Sequence, residues 1–336
     1  MKAWLLTDTS GIDAFELQEV DTPEPGSGEV RIELKTSGLN HLDLWVSQGL
    51  PAPKHLPHIL GADGAGVVDK VGDGVDGIGV GDEVVIDPSI SCGGCAACLR
   101  DEIVFCSEFG ILGEHHTGTL AEYVTVPAAN ALPRPLSLNW ETAGSFGLVT
   151  GTALRMLDRA RLEKGESVLV PGIGGGVSSA AMLLAIARGA RVFVTSRSPA
   201  KIQWAVEQGA EAGFDSGSEF SKEMKSHGGA DVVVEDIGPA TWEQSLRSLK
   251  PGGRMVVCGA TSGQKVELKL PVLWFKQLEL IGSSMATHSQ FSRALHLVST
   301  GQVPAPVDSV FAFDRLPDAL RHLESAEQTG KVVISH

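Results

Sequence analysis

Four short runs constrain the second half of the chain more than anything else in it: SVLV (167–170), ARVFVT (190–195), DVVVED (231–236) and RMVVCG (254–259). Each is an unbroken apolar stretch rich in valine rather than an alternation of apolar and polar residues. That pattern suits strands buried on both faces, because a sheet with one wet face alternates. Helical patterns separate the runs. In GVSSAAMLLAIARG, Ala180, Leu183, Leu184 and Ala187 fall at i, i+3, i+4 and i+7, and Gly189 stands where a helix stops. Strand and helix in alternation require right-handed crossovers, so the region is read as α/β, a doubly wound parallel sheet.

The first 130 or so residues have another texture. EVRIEL (29–34), GAGVVDKVG (64–72) and DEVVI (82–86) are short strand-like runs broken by Gly, Pro and Asp, the usual turn residues. At 336 residues two domains are expected. The boundaries read as 1–149 with 279–336 for a β-rich domain and 150–278 for the doubly wound one, the strand-like tail KVVISH rejoining the first. A net charge of −14 argues against nucleic acid and anionic membrane surfaces as partners. No apolar run approaches the ~20 residues of a membrane span. MKAWLLTDTS lacks the apolar core of a signal peptide, so a cytoplasmic location with reduced thiols is expected.

VLVPGIGGGVSSAAM follows a predicted strand and opens a predicted helix, the context of a phosphate-binding loop. Gly172, Gly174, Gly175 and Gly176 would let the backbone approach a pyrophosphate, and the helix start at Val177 offers open N–H groups and a favourable dipole. The strict GxGxxG spacing is not met, because Val177 and Ser178 stand where a last glycine would. The next strand discriminates between dinucleotides. NAD-binding folds carry an acid there for the adenosine ribose. Here the strand ends VFVTSRSPAK, with Ser196, Arg197 and Lys201 and no carboxylate, which favours NADP(H). Gly259, Ala260 and Thr261 follow a later strand of the same sheet, and ligands bind beyond such strand ends.

SCGGCAACLRDEIVFC packs Cys92, Cys95, Cys98 and Cys106 into a lobe at 91–107. Four thiolates close the tetrahedral shell of Zn²⁺ and leave no place for water or substrate, so one zinc per chain is expected and its role is structural. The spacing does not follow iron–sulfur runs. Cys258, in a buried-strand run, reads as packing.

Taken together, GEVRIELKTSGLNHLDL, GADGAGVVDKVGDGV, the cysteine lobe and the glycine loop resemble the medium-chain dehydrogenase/reductase superfamily, which includes zinc alcohol dehydrogenases and quinone oxidoreductases. The resemblance runs over essentially the whole chain. It implies a GroES-like catalytic domain beside a Rossmann domain, a nicotinamide cofactor, and a homodimer or homotetramer. Zinc alcohol dehydrogenases of this family hold a second, catalytic zinc. Their three ligand positions fall here on Asn40, Ala62 and Val149, and the hydroxyl opening their proton relay falls on Leu42. Two of the three are aliphatic and the third is a poor ligand, so the catalytic zinc is not expected. GLN at 38–40 resembles the GVN of quinone reductases.

The resemblance thus implies an NADPH-dependent oxidoreductase that passes hydride, in a cleft between the domains, to a small electrophile, a quinone or an α,β-unsaturated carbonyl, with no catalytic metal. Conjugation in such an acceptor spreads the developing charge. Asn40 is expected to face substrate or nicotinamide ribose, and Thr150 to reach the nicotinamide amide. His41 is expected near the cofactor phosphates, on the opposite side from Asn40 if the segment is extended, and Asp43 either orients one of them or caps a helix. His115 and His116 read as a solvated loop, and Tyr123 as strand packing. Two rival readings remain: an alcohol dehydrogenase that rebuilds a metal site from His41, Asp43, Asp63 or His115, and a cofactor-binding sensor without turnover.

Overall fold

The computed structural model describes all residues from Met1 to His336. They form two compact units, one of 1–148, 286–301 and 305–336, the other of 149–285 and 302–304.

In the second unit, six parallel strands lie in the order Ala212–Asp215, Arg191–Ser196, Ser167–Val170, Ala230–Glu235, Leu249–Val257, Glu279–Gly282. The valine runs are its centre: Val168 is in register with Val192 on one side and Val232 on the other, and all three are buried. Phe193, Phe214, Phe220, Met224, Trp242 and Met255 close the core around them. Burial of each such side chain contributes about 1.5–3 kcal/mol. The edge strand Ala212–Asp215, of four residues, is too short for an apolar run to reveal it. Helix Gly176–Ala187 departs from the one-faced pattern read from its spacing. Residues 178–185 are all buried, because small side chains let it press close to the strands Ser167–Val170 and Arg191–Ser196. The unit extends to Met285, past the boundary expected at residue 278, because Glu279–Gly282 adds to this sheet beside Leu249–Val257.

In the first unit, the ten-residue strand Glu29–Gly38 pairs antiparallel with Asp63–Val71, Tyr123–Pro127 and Lys331–Ser335. The tail thus returns to the first unit. Its alternating burial fills one core with Val30, Ile32, Leu34, Val68, Val84 and Val124. A second core joins the N-terminal strand to helices His41–Ser47 and Leu316–Glu324 and to Val332 and Ile334. No helix is long and apolar enough to cross a membrane.

Candidate active site

The long strand Glu29–Gly38 runs out through Leu39 and Asn40 into helix His41–Ser47. Asn40 is extended (φ −131°, ψ 155°) and its N–H donates to Asp43 Oδ2 at 2.8 Å, in the helix's first turn. Asp43 therefore caps the helix. Because His41 opens a helix, the alternation expected to set it opposite Asn40 does not apply. The other Asp43 oxygen accepts from Gly61 N–H at 3.0 Å. Gly61 has φ +98°, and a Cβ there would lie 2.5 Å from Thr119 Oγ1, so only glycine fits.

Asp63 begins the next strand. Its Oδ1 accepts from Leu148 N–H at 2.7 Å, and its Oδ2 from Asn40 Nδ2 at 3.0 Å and Lys331 Nζ at 3.1 Å. Lys331 opens the C-terminal strand, and its ammonium also donates to Leu39 O at 2.7 Å and Asn40 Oδ1 at 2.6 Å. Asn40, Asp43, Asp63 and Lys331 are each at most 5% exposed.

This network corrects the donor role expected of Asn40. Its two amide hydrogens go to Gly38 O (3.3 Å) and Asp63, and its oxygen goes to Lys331, so the carboxamide is spent within the protein. Neither Lys331 nor Asp63 stood out in the sequence as a partner of Asn40. The one signal was a lysine opening a strand-like apolar tail.

Burial pushes the Asp43 carboxyl up to about 6, against the pull of the Asn40 and Gly61 N–H groups and the Lys331 charge. An unfolded aspartate ionises near pH 4. The folded state therefore holds the extra proton between these values, and this contribution to stability is full below about pH 4 and lost as pH rises through 6. Asp43→Asn should flatten that part of the stability profile in urea melts taken from pH 4 to 7; an unchanged slope would assign it to another group.

His41 is half-buried and tilted against Trp45. Burial, and then the nearby Lys331 charge, hold its imidazole below the ordinary range, so it is neutral at pH 7. His115 and His116 are exposed on their loop, as expected, and His115 Nδ1 accepts from Ile111 N–H. Tyr123 packs under the Arg31 guanidinium.

The one group of three or more His, Cys, Asp or Glu side chains gathered to metal distance is Cys92, Cys95, Cys98 and Cys106, whose sulfurs all lie within 4.8 Å of one another. Separations of 3.5 Å (Cys95–Cys98 and Cys92–Cys106) and 3.8 Å (Cys92–Cys98) fit the edges, about 3.8 Å, of a tetrahedron with Zn–S bonds near 2.3 Å. The lobe is tied to helix His288–Ser299. Asp101, in the lobe, accepts from Ser289 Oγ, and buried Asp87 holds His288 Nδ1 at 2.6 Å.

In the other unit, the glycine loop joins strand Ser167–Val170 to helix Gly176–Ala187, with Gly175 as its cap. Gly174 has φ +108°, and a Cβ there would come 2.5 Å from Lys201 Cδ and 2.8 Å from its Nζ. From the first turn of helix Pro199–Glu207, the Lys201 ammonium thus reaches over the loop. Ser178 Oγ donates to Gly172 O and Gly175 O, fixing the loop, while Gly176 and Val177 form the open first turn. Arg197 is exposed at the end of its strand beside buried Ser196, whose Oγ accepts from Ser198 N–H. The register sets Asp215 of the outer strand beside Ser196, with its carboxylate turned into its own turn toward Gly217 N–H. Gly259, Ala260 and Thr261 fold over the end of Ala230–Glu235: Thr261 Oγ1 donates to Asp236 O at 2.8 Å, and a Cβ on Gly259 would come within 2.5 Å of the same oxygen. Thr150 is buried in the first turn of helix Gly147–Arg159 and belongs to this unit, whereas Asn40 and His41 belong to the first.

Two family models match the chain, one described as an alcohol dehydrogenase GroES-like domain over residues 26–136, the other as a zinc-binding dehydrogenase over residues 176–300. The chain is 32% identical over 335 residues to an alcohol dehydrogenase of Schizosaccharomyces pombe, covering 96% of this chain and 94% of that protein. It is 32% identical over 324 residues to an acryloyl-coenzyme A reductase of Metallosphaera sedula, covering 96% of each. A crystal structure titled as an NAD-dependent alcohol dehydrogenase superposes with a TM-score of 0.97 at 40% identity over all of both chains.

Proposed function

This chain belongs to the medium-chain dehydrogenase/reductase superfamily, and from that premise we propose that it is an NADPH-dependent reductase of quinones or α,β-unsaturated carbonyl compounds that works without a catalytic metal. The observation that carries the reading is the 2.6 Å bond from Lys331 to Asn40 Oδ1. At the place where alcohol dehydrogenases of the family have their first metal ligand, an ammonium takes up the one oxygen that could have served. The second and third ligand places are Ala62 and Val149, which have no donor atom. A lone carbonyl or an alcohol depends on a Lewis acid there. A conjugated acceptor does not, since its own π system carries charge to oxygen. The acryloyl-coenzyme A reductase among the relatives is named for an acceptor of this class, which supports the proposal.

When bound, the reduced nicotinamide supplies the hydride. The protein's part is to hold and orient. Gly174, Gly175 and the open N–H groups of Gly176 and Val177 would hold the pyrophosphate, with Lys201 close to the loop, and Arg197 would pair with the 2′-phosphate. His41, neutral at pH 7, is a proposed cofactor contact that would add no charge, and Thr150 would offer its hydroxyl to the nicotinamide amide. The Asn40–Asp63–Lys331 network braces the start of the helix that His41 opens. Pairing of two copies along the edge strand Glu279–Gly282 is supported by exposed Leu280, Trp274 and Phe275; elution as a monomer would remove this part of the proposal.

Arg197→Ala should raise the Kd for NADPH about tenfold or more, the worth of a charge-assisted hydrogen bond, and leave NADH within about twofold. Equal losses for both cofactors would argue against a 2′-phosphate contact. The reading as a whole is tested by metal analysis and turnover together. About one zinc per chain, with NADPH oxidation by enones, enoyl thioesters or quinones that resists chelators, is the expected result. Two zincs, with ethanol oxidation abolished by chelator, would favour the alcohol dehydrogenase reading that several relatives' names suggest. Tight NADPH binding with no electrophile reduced would leave the sensor.

A further inference from the structure

At the strand ends of the nucleotide unit stands an acid that none of this chemistry uses. The parallel sheet changes direction between Ser167–Val170 and Ala230–Glu235. The strands that follow the first build outward on one side, and those that follow the second build outward on the other. Ligands of such sheets bind beyond the carboxyl ends at that switch. The glycine loop leaves the first of these strands, and Asp236 is the first residue past the second. The two exits are in contact, because a Cβ on Gly172 would come 2.4 Å from Ile237 Cδ1.

Asp236 and its neighbour Glu235 have opposite fates. Glu235 is fully buried, and its carboxylate accepts from Ile237 N–H (2.9 Å), Gly238 N–H (3.0 Å), Thr241 Oγ1 (2.8 Å) and Ser245 Oγ (2.6 Å). Successive strand side chains take opposite faces, so Asp236 turns away from that set. Its Oδ1 is buried without a hydrogen-bond partner, although part of the residue reaches the surface. The segment 259–261 engages only the backbone of Asp236, through Thr261, and leaves the carboxyl alone.

A dinucleotide whose adenosine ribose lies at Ser196 and Arg197 and whose pyrophosphate lies on the glycine loop must run its other half toward the ends of Ala230–Glu235 and Leu249–Val257. We propose that the Asp236 carboxyl is a direct partner of the nicotinamide half of the cofactor, donating a hydrogen bond in its acid form and, once ionised, favouring the cationic oxidised ring over the neutral reduced one. The proposal rests on the dinucleotide reading of the glycine loop. It assigns Asp236 a bias in cofactor redox state, a role beyond holding the cofactor.

The surroundings supply the titration. Burial, and then the charge of Glu235, push the Asp236 carboxyl up to about 8. Across from it, burial and then Asp236 push the Cys258 thiol up, so that thiol stays neutral, and residues 259–263 carry no charge. Asp236 is therefore an acid at pH 7 and a carboxylate at pH 9.

The test is to titrate wild type and Asp236→Asn with NADPH and with NADP⁺ from pH 6.5 to 9.5, following cofactor fluorescence and its displacement. In wild type the ratio Kd(NADPH)/Kd(NADP⁺) should rise about tenfold from pH 7 to 9, the scale of one charge a few ångströms from the ring in a partly wet site. Asp236→Asn, which keeps a donor and cannot ionise, should bind NADPH and hold the ratio flat. Asp236→Leu, with no donor, should bind NADPH several-fold more weakly while retaining its zinc. A wild-type ratio that does not move with pH, or an Asn variant that follows the wild-type curve, overturns the assignment while leaving the dinucleotide site standing. A chain that binds neither cofactor overturns both.

Discussion

Lys331→Met should leave the protein about 3–5 kcal/mol less stable, the usual cost of removing one partner of a buried ion pair. The ammonium is the only cation in contact with Asp63, both side chains are nearly inaccessible, and its three hydrogens are all engaged, on Asp63, Asn40 and Leu39. Without it, a carboxylate and two oxygens are left in a dry interior with only the Leu148 and Asn40 N–H groups in return. The loss is of pairing rather than of volume, since methionine fills nearly the same space. A second substitution, Asp63→Asn, should then restore more than half of the stability, because the remaining group is neutral and still accepts from Leu148 N–H. Urea unfolding of wild type and the two variants decides it. A Lys331→Met protein within 1 kcal/mol of wild type would mean that water reaches the pair.

Loss of the lobe metal should be comparably severe. Cys106 is the most buried of the four ligands, and Cys106→Ser should reduce bound zinc from about one per chain to well below half, because three thiolates and a hydroxyl bind the ion much more weakly. The lobe contains only two short helical turns, Cys98–Arg100 and Ile103–Phe105, and a glycine-rich bend, so the ion is what organises it. The damage should not stop at the lobe. Asp101 accepts from Ser289 at the start of helix His288–Ser299, so hydrogen exchange should quicken in that helix's first turn as well as through residues 91–107. The sheet Glu29–Gly38 with Asp63–Val71 should keep its protection. Quickened exchange confined to the lobe would show that the Asp101 tie carries little, and full zinc retention would show that Cys106 is not a ligand.

Sequence reading located the two sites whose chemistry is written in consecutive residues. Four thiols within fifteen residues are close enough to share one ion, and glycines between a strand and a helix are the context of a phosphate loop, so both were recognisable before any fold was known. The valine runs fixed a buried parallel sheet in the same way, because composition along a strand reports which faces are wet. Single residues fared differently. Asn40 was noticed for the metal ligand it replaces but not for the partners that hold its carboxamide, and the approach of Lys201 to the glycine loop was not foreseen. In each case the deciding neighbour lies on another element.

What the chain's order of residues determined, then, is the fold class, the zinc lobe, the glycine loop and the want of donor atoms at positions 62 and 149, all properties of side-chain type and short-range spacing. What only the tertiary structure decided is which buried charges meet. The return of the last strand carries Lys331 to Asn40 and Asp63, and the switch in strand order leaves Asp236 alone beside the glycine loop. Energies of burial and pairing depend on three-dimensional distance, and no local pattern along a sequence encodes a contact between residues some three hundred positions apart.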